Sequence, residues 1–299
     1  MILPRDASLF CLFLTLITTS CTFASNQDAN NPHQDDLLPP LESDFKSYPN
    51  LANITDEERA LFHPILKFPT HFKKIPVLDC TQATGLATES QRKRSKIRDK
   101  LFGLVWRNVI VNLITDSEVV RKVPWKSSKW GFGKYDEDRR AMYTSSVFDA
   151  ENVVDGYSGA RTVHLGIDLG APVGTKVYAF ADGVVHSVGY NEGHGDYGFV
   201  VVIEHTLPLS STKIWALYGH MDRATSRNKS PGTPIQKGQV IGGIGDCHEN
   251  GGWSAPHCHF QVSMRPPMTH DMPGACSVQD RPIALSEYFD PRYVLGQIY

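Results

Sequence analysis

The chain is nearly balanced in charge: over 299 residues, 30 Lys and Arg stand against 32 Asp and Glu, a formal net charge of -2. That excludes a global electrostatic case for nucleic acid as a partner. It also lacks an apolar run long enough for a bilayer. The stretch over residues 9–17 is under half of the roughly 20 residues that a spanning helix requires. No HExxH sequence occurs, so the peptidase site that sets a glutamate base between two ligand histidines is excluded. No internal repeat is present. What remains is ordinary globular material, 41% hydrophobic and 21% charged, enough for one large domain or two smaller ones.

The N-terminus reads as an export signal. Arg5 precedes the apolar stretch, small residues follow it, and Thr22-Phe23-Ala24 resembles a signal-peptidase site. Residues 1–24 are therefore expected to be removed, leaving a secreted chain with no transmembrane span. A lipid anchor on Cys21 is the alternative, against which Thr18-Thr19-Ser20 makes a poor lipobox. Removal of the signal leaves Cys80, Cys247, Cys258 and Cys276. In an exported chain these permit disulfides, and the loop-like surroundings of Cys247 and Cys276 favour that pair. Cys258 is expected to be a buried thiol.

The composition divides the rest. Residues 25–55 are polar and rich in Pro, Asn and Asp, and read as a flexible tether. Residues 56–150 form a smaller mixed or helical region of unknown role. Within it Thr88 and Gln91 fit a capping box. Ile97, Leu101, Leu104, Val105, Val109 and Leu113 then follow helical spacing, which predicts a helix over 89–114. Its first turns carry Arg92, Lys93, Arg94, Lys96, Arg98 and Lys100, read as a solvated face, with contact to an anionic polymer as the alternative. From 151 short β-rich runs alternate with Gly, Pro, Asp and Asn, at 176–180, 184–188, 199–204, 214–218, 239–244 and 259–264. They predict a mainly β domain over 151–290, an antiparallel sheet of sandwich-like or barrel-like form, with a short tail over 291–299.

Two short patterns in this domain carry chemistry. His257 and His259 stand two apart, so on a strand they share one face, with Cys258, Phe260, Val262 and Met264 on the other. His164 and Asp168 stand four apart, about 13 Å on a straight strand, too far to share one ion. A bend near Leu165-Gly166 is required, and glycine there permits unusual torsions. Together the two patterns offer the three ligands and open position of a catalytic zinc site, with imidazoles to spare. His220 ends an apolar run, where functional side chains project. His205 reads as structural. His194 lies in a glycine-rich loop that is a candidate for substrate contact, and Trp253 is a candidate groove wall.

HLGIDLGAPVGTKVYAFADGVV, WALYGH, KGQVIGGIGD and SAPHCHFQ follow one another in this order. Over about 160–265 the chain resembles the lysostaphin/LytM-type zinc endopeptidases, which cleave peptide bonds of bacterial peptidoglycan. The resemblance implies a compact antiparallel β domain with the site in a groove. It implies that His164, Asp168 and His259 bind zinc and that His257 and His220 are catalytic. Zinc in such a site lowers the pKa of its water from about 15.7 toward about 7, and the two spare histidines would handle the proton and the oxyanion. Family members often carry a tyrosine upstream of the first ligand, which makes Tyr157 a candidate oxyanion donor. Some relatives carry an upstream segment that occludes the groove. Others lack part of the site and act as wall-binding activators of other hydrolases; the complete set here favours the enzyme. PGTPIQKGQVIG resembles a lipoyl-type hairpin, but without a lysine at the exposed position that is modified.

Overall fold

The computed structural model describes residues 48–69, 75, 77–78, 80–81, 85–97, 130–149, 151, 153–154, 156–157, 159–227 and 229–299. The expected signal peptide, most of the tether and the expected helix beyond residue 97 lie outside the described residues.

The C-terminal region is the antiparallel β domain that the sequence predicts. Three nine-residue strands, β6 (Gly183–Asn191), β7 (Gly198–Thr206) and β8 (Lys213–Met221), pair in succession. β8 then pairs with β11 (His257–Ser263), and β11 with β4 (Ile167–Gly170). Beyond β4 the sheet continues into β2 (Gly131–Gly133) and β1 (Val77–Leu78), and at its other edge β6 pairs with β9 (Pro234–Ile235). A short strand, β13 (Tyr288–Phe289), also pairs with β11. Two small ribbons complete the domain: β5 (Lys176–Tyr178) with β10 (Val240–Gly243), and β3 (Val163–His164) with β12 (Ala275–Cys276).

Both faces of the central strands are covered. Val201, Ile203, Ala216, Tyr218, Phe260 and Val262 point into one core, which Phe180, Val177, Ile241 and Ile244 fill from the other side. Val200, Val202 and Leu217 point into a second core with Val163, Leu165 and Tyr288. Two apolar faces explain why β7 reads as a nearly continuous apolar run and not as an alternation. On β11 the alternation is kept. Cys258, Phe260 and Val262 enter the larger core, as expected, and His257, His259 and Gln261 take the other face.

Upstream residues belong to the same body. Ala52, Ile54, Ile65, Leu66, Trp130, Phe132 and Tyr135 are buried in the larger core. The stretch after Tyr48 straps the sheet: buried Glu58 accepts from the amides of Leu209 and Ser210, and Tyr178 N donates to Ile65 O at 2.9 Å. The expected tether thus loses its last residues to the core, because its apolar side chains find a sheet face that a local reading does not reveal. The expected C-terminal tail is likewise packed, with Tyr293 and Val294 buried and Arg292 paired with Asp290 out of solvent. Thr88 and Gln91 form the expected capping box, Thr88 N to Gln91 Oε1 at 2.7 Å and Gln91 N to Thr88 Oγ1 at 3.3 Å.

The Cys247–Cys276 pairing is corrected. Cys247 and Cys276 are both buried, and no disulfide joins them to each other. Register decides it: β12 pairs Cys276 with Val163 and turns it into the second core, which Cys247 does not reach.

His205 is structural. Its Nδ1 meets Ala181 O at 2.9 Å, its Nε2 meets Tyr218 Oη at 3.0 Å, and its ring lies 4.1 Å from that of Phe180. Burial pushes it down to about 4. The folded chain therefore resists a proton that the unfolded chain accepts below about 6.5, so this residue costs stability as pH falls from there toward 4. His205→Gln is expected to be less stable than wild type at pH 7, with the gap closing by about 2 kcal/mol at pH 5. Urea unfolding at the two pH values checks this.

Candidate metal centre and catalytic histidines

β3 ends at His164, the chain turns through Leu165-Gly166, and β4 brings Asp168 back beside it, with His164 Nε2 3.3 Å from Asp168 Oδ1. The bend is as expected, but the reason for its glycine differs. Gly166 is not among the glycines with left-handed backbone. A Cβ there would stand 2.5 Å from the His259 ring and 2.9 Å from Phe260 O. Space, not torsion, demands glycine. Cross-strand register then sets Asp168 opposite His259, and His259 Nδ1 lies 3.3 Å from Asp168 Oδ1 and 3.0 Å from His164 Nε2.

These three donor atoms stand 3.0 to 3.3 Å apart. Ligand atoms held tetrahedrally at 2.0–2.1 Å from zinc are separated by about 3.3 Å. The donor set fits. Each imidazole is also oriented by its other nitrogen. His164 Nδ1 meets Lys134 O at 2.7 Å, and His259 Nε2 meets Gln261 Oε1 at 3.0 Å. A carbonyl oxygen only accepts, so each of those nitrogens carries the hydrogen and the lone pair faces the shared centre. Gln261 is anchored in turn by donating to Pro273 O at 3.1 Å. Burial and neighbouring Arg139 push His164 down to about 3, which keeps it neutral. Burial opposes the Asp168 charge, but the Arg139 guanidinium holds the carboxyl well below the usual range. Two imidazoles and one carboxylate form a donor set for a divalent cation.

His257 and His220 stand beside this triad with ring centroids 4.4 Å apart. His257 Nε2 is 3.7 Å from Asp168 Oδ1. Both are pinned by Nδ1, His257 to Ala255 O at 2.7 Å and His220 to Asn250 O at 2.9 Å, which leaves each Nε2 as an acceptor. Burial depresses both, and for His220 the adjacent His257 and His259 add to it. His220 has φ +60, a left-handed conformation that costs a non-glycine residue of order 1 kcal/mol or more. Its neighbours hold that geometry: His220 N donates to Tyr197 O at 2.9 Å and Gly245 N donates to His220 O at 2.9 Å.

A groove partly open to solvent runs along His220 and His259 between Tyr143, Phe148, Tyr197 and Trp253. Trp253 lies with its ring 5.7 Å from that of His220 and 5.9 Å from that of His257. His194 lies behind it against Gly252. Upstream residues reach this rim too: Ala87 N donates to Gly252 O at 2.7 Å and Ser254 N to Gly85 O at 2.8 Å. Tyr157 stands elsewhere. Its hydroxyl donates to Glu287 Oε2 at 2.5 Å and its ring packs against Tyr288 in the second core. The tyrosines that line the groove are Tyr143, 6.5 Å from the His164 ring, and Tyr197, 5.2 Å from the His259 ring.

Arg139, Lys134, Tyr143, Gln261 and Asn250 were not singled out from the sequence. Gln261 could have been, since it continues the two-residue alternation of His257 and His259. The others carry no such signal.

Residues 162–269 match the model of peptidase family M23. Among named proteins, the chain is 32% identical to the peptidoglycan DD-endopeptidase ShyC of Vibrio cholerae over 48% of its own length and 34% of that protein. It is 32% identical to the DD-carboxypeptidase/endopeptidase Mpg of Neisseria meningitidis over 42% of its own length and 29% of that protein. The chain thus spans about a third of the length of these relatives. Among solved structures, the catalytic domain of the prophage-encoded M23 protein EnpA from Enterococcus faecalis is 26% identical. It covers 39% of this chain and 77% of that one, with a TM-score of 0.29.

Proposed function

We propose that this chain is a secreted, zinc-dependent endopeptidase that hydrolyses peptide bonds of bacterial peptidoglycan. One observation carries the reading: His164 Nε2, Asp168 Oδ1 and His259 Nδ1 converge to within 3.3 Å of one another. The M23 match and the activities for which ShyC and Mpg are named support the substrate class. The expected signal peptide supports export.

Zinc on these three side chains supplies Lewis acidity and makes water a usable nucleophile near neutral pH. The chain's own residues do the rest. His257 Nε2, unprotonated beside Asp168, accepts the proton that the attacking water gives up and returns it to the leaving amine. His220 faces the same space and, with Nδ1 held by Asn250 O, presents Nε2 as an acceptor that orients the attacking water. Their Nδ1 anchors fix both rings in advance, so little reorientation is left for the reaction. Trp253 and Tyr143 wall the groove in which the peptide lies.

His257→Ala is expected to keep its zinc and lose about 10²-fold or more in turnover, the scale of a lost acid–base group. Metal analysis beside turnover on purified peptidoglycan checks both halves. The reading as a whole is tested by digesting defined peptidoglycan fragments and weighing the products. Cleavage that a chelator stops and zinc restores is expected. Binding to the wall without cleavage by the zinc-loaded chain would replace the enzyme with the binding module.

A further inference from the structure

Asp168 has two oxygens and offers only one of them to the histidines. Oδ1 faces His164, His257 and His259. Oδ2 accepts from Arg139 Nη1 at 2.6 Å. Arg139 is buried and is itself held: its Nε donates to Glu137 Oε2 at 2.9 Å and its Nη2 to Lys134 O at 3.3 Å. Glu137 is fixed in turn by the amide of Cys80, which donates to its Oε1 at 3.2 Å. Lys134 O also accepts from His164 Nδ1, so one carbonyl orients both the first histidine and the guanidinium.

The backbone reinforces this. Asp136 N donates to His164 O at 2.8 Å, His164 N to Glu137 O at 3.0 Å and Arg139 N to Thr162 O at 2.8 Å. The segment that carries Arg139 is zipped to the strand that carries His164. Gly133 leaves the room: a Cβ there would stand 2.6 Å from Asp168 Oδ2 and 2.7 Å from Arg139 Nη2. Gly133, Lys134, Asp136, Glu137 and Arg139 all precede the span that matches the M23 family.

We propose that Arg139 is a positioning residue of the metal centre: by engaging Oδ2 it makes Asp168 a one-oxygen ligand, which leaves a coordination position for water or substrate. This rests on the reading of His164, Asp168 and His259 as metal ligands. A carboxylate freed of its arginine can swing to bind through both oxygens and fill that position.

The test uses the full-length chain loaded with cobalt(II), whose visible absorption is strong when four-coordinate and weak at higher coordination number. Zinc affinity is measured beside it by chelator competition. Wild type is expected to take one cobalt per chain with a strong band. Arg139→Met is expected to bind zinc about 10- to 100-fold more weakly and to lose cobalt band intensity. Arg139→Lys, which keeps a cation in place, is expected to recover part of both. Wild-type band and affinity in Arg139→Met would overturn the proposal. If that variant does not fold, Gly133→Ala forces the pair apart with every charge kept. There the same weakening supports the proposal and an unchanged spectrum overturns it. Failure of wild type to take up cobalt or zinc would instead overturn the metal-centre reading, and the proposal with it.

Discussion

Asp168→Ala is expected to emerge from purification folded, without stoichiometric zinc and without measurable hydrolysis. Asp168 is the only carboxylate of the donor set, and its loss leaves the imidazoles of His164 and His259. Two imidazoles hold a divalent cation far less tightly than three ligands that include a carboxylate. The loss of turnover should exceed that of His257→Ala, because the electrophile goes with the ligand. Folding should survive. Removal of one partner from a buried ion pair costs roughly 3–5 kcal/mol when the other charge is left alone, but Arg139 keeps Glu137 at 2.9 Å. His164→Ala should give the same metal loss with a different cost, since it leaves Lys134 O with only the 3.3 Å bond from Arg139 Nη2. Metal analysis and a thermal melt of each purified variant check these outcomes. Full zinc content in either variant would contradict the ligand assignment.

Removal of residues 1–148 is expected to destroy the centre even though residues 162–269, the span that matches the M23 family, stay intact. A chain that starts at Asp149 loses β2, which pairs with β4 through Gly131, Phe132 and Gly133 and so lies directly beside Asp168. It also loses Trp130, Phe132, Tyr135 and Met142 from buried positions. Each such side chain contributes about 1.5–3 kcal/mol by burial, and typical domain stability is only about 5–15 kcal/mol. Arg139 and the Lys134 carbonyl go as well, so Asp168 and His164 lose their outer partners together. The expected product is insoluble or non-cooperatively unfolding, and it does not retain zinc. A cooperative melt with bound zinc would show that the upstream segment is dispensable. The removed stretch is part of the scaffold, so low activity of such a chain would say nothing about an occluding segment. A test for occlusion must leave residues 130–148 in place.

The β character of the C-terminal region was legible because its strands are short, rich in β-branched residues and cut by glycine and proline. The strands at 176–178, 183–191, 198–206, 213–221, 240–243 and 257–263 lie close to the six expected ones. The face shared by His257 and His259 followed from a two-residue period that does not depend on anything distant. The bend between His164 and Asp168 followed from a reach argument, since one ion cannot be held across 13 Å of straight strand. Tyr157 was misplaced for the opposite reason. Its distance along the chain from His164 says nothing about direction, and its hydroxyl turned to Glu287, 130 residues away. The disulfide expectation failed likewise, because loop-like sequence at two cysteines carries no information on their separation in space.

Local spacing and residue chemistry alone determined which side chains could bind a metal, which strands they ride on and which faces they share. Tertiary structure decided what stands behind them. Arg139 reaches Asp168 from 29 residues upstream, Lys134 reaches His164 from 30, and Asn250 meets His220 across 30. Such contacts are set by the pairing of β2 with β4 and by the burial of Trp130 and Phe132 against the sheet. A period of two residues is a property of one strand, and it can be read in one strand. Partnership between strands is a property of the assembled core, where register and close packing select one neighbour from many that the chain could have supplied.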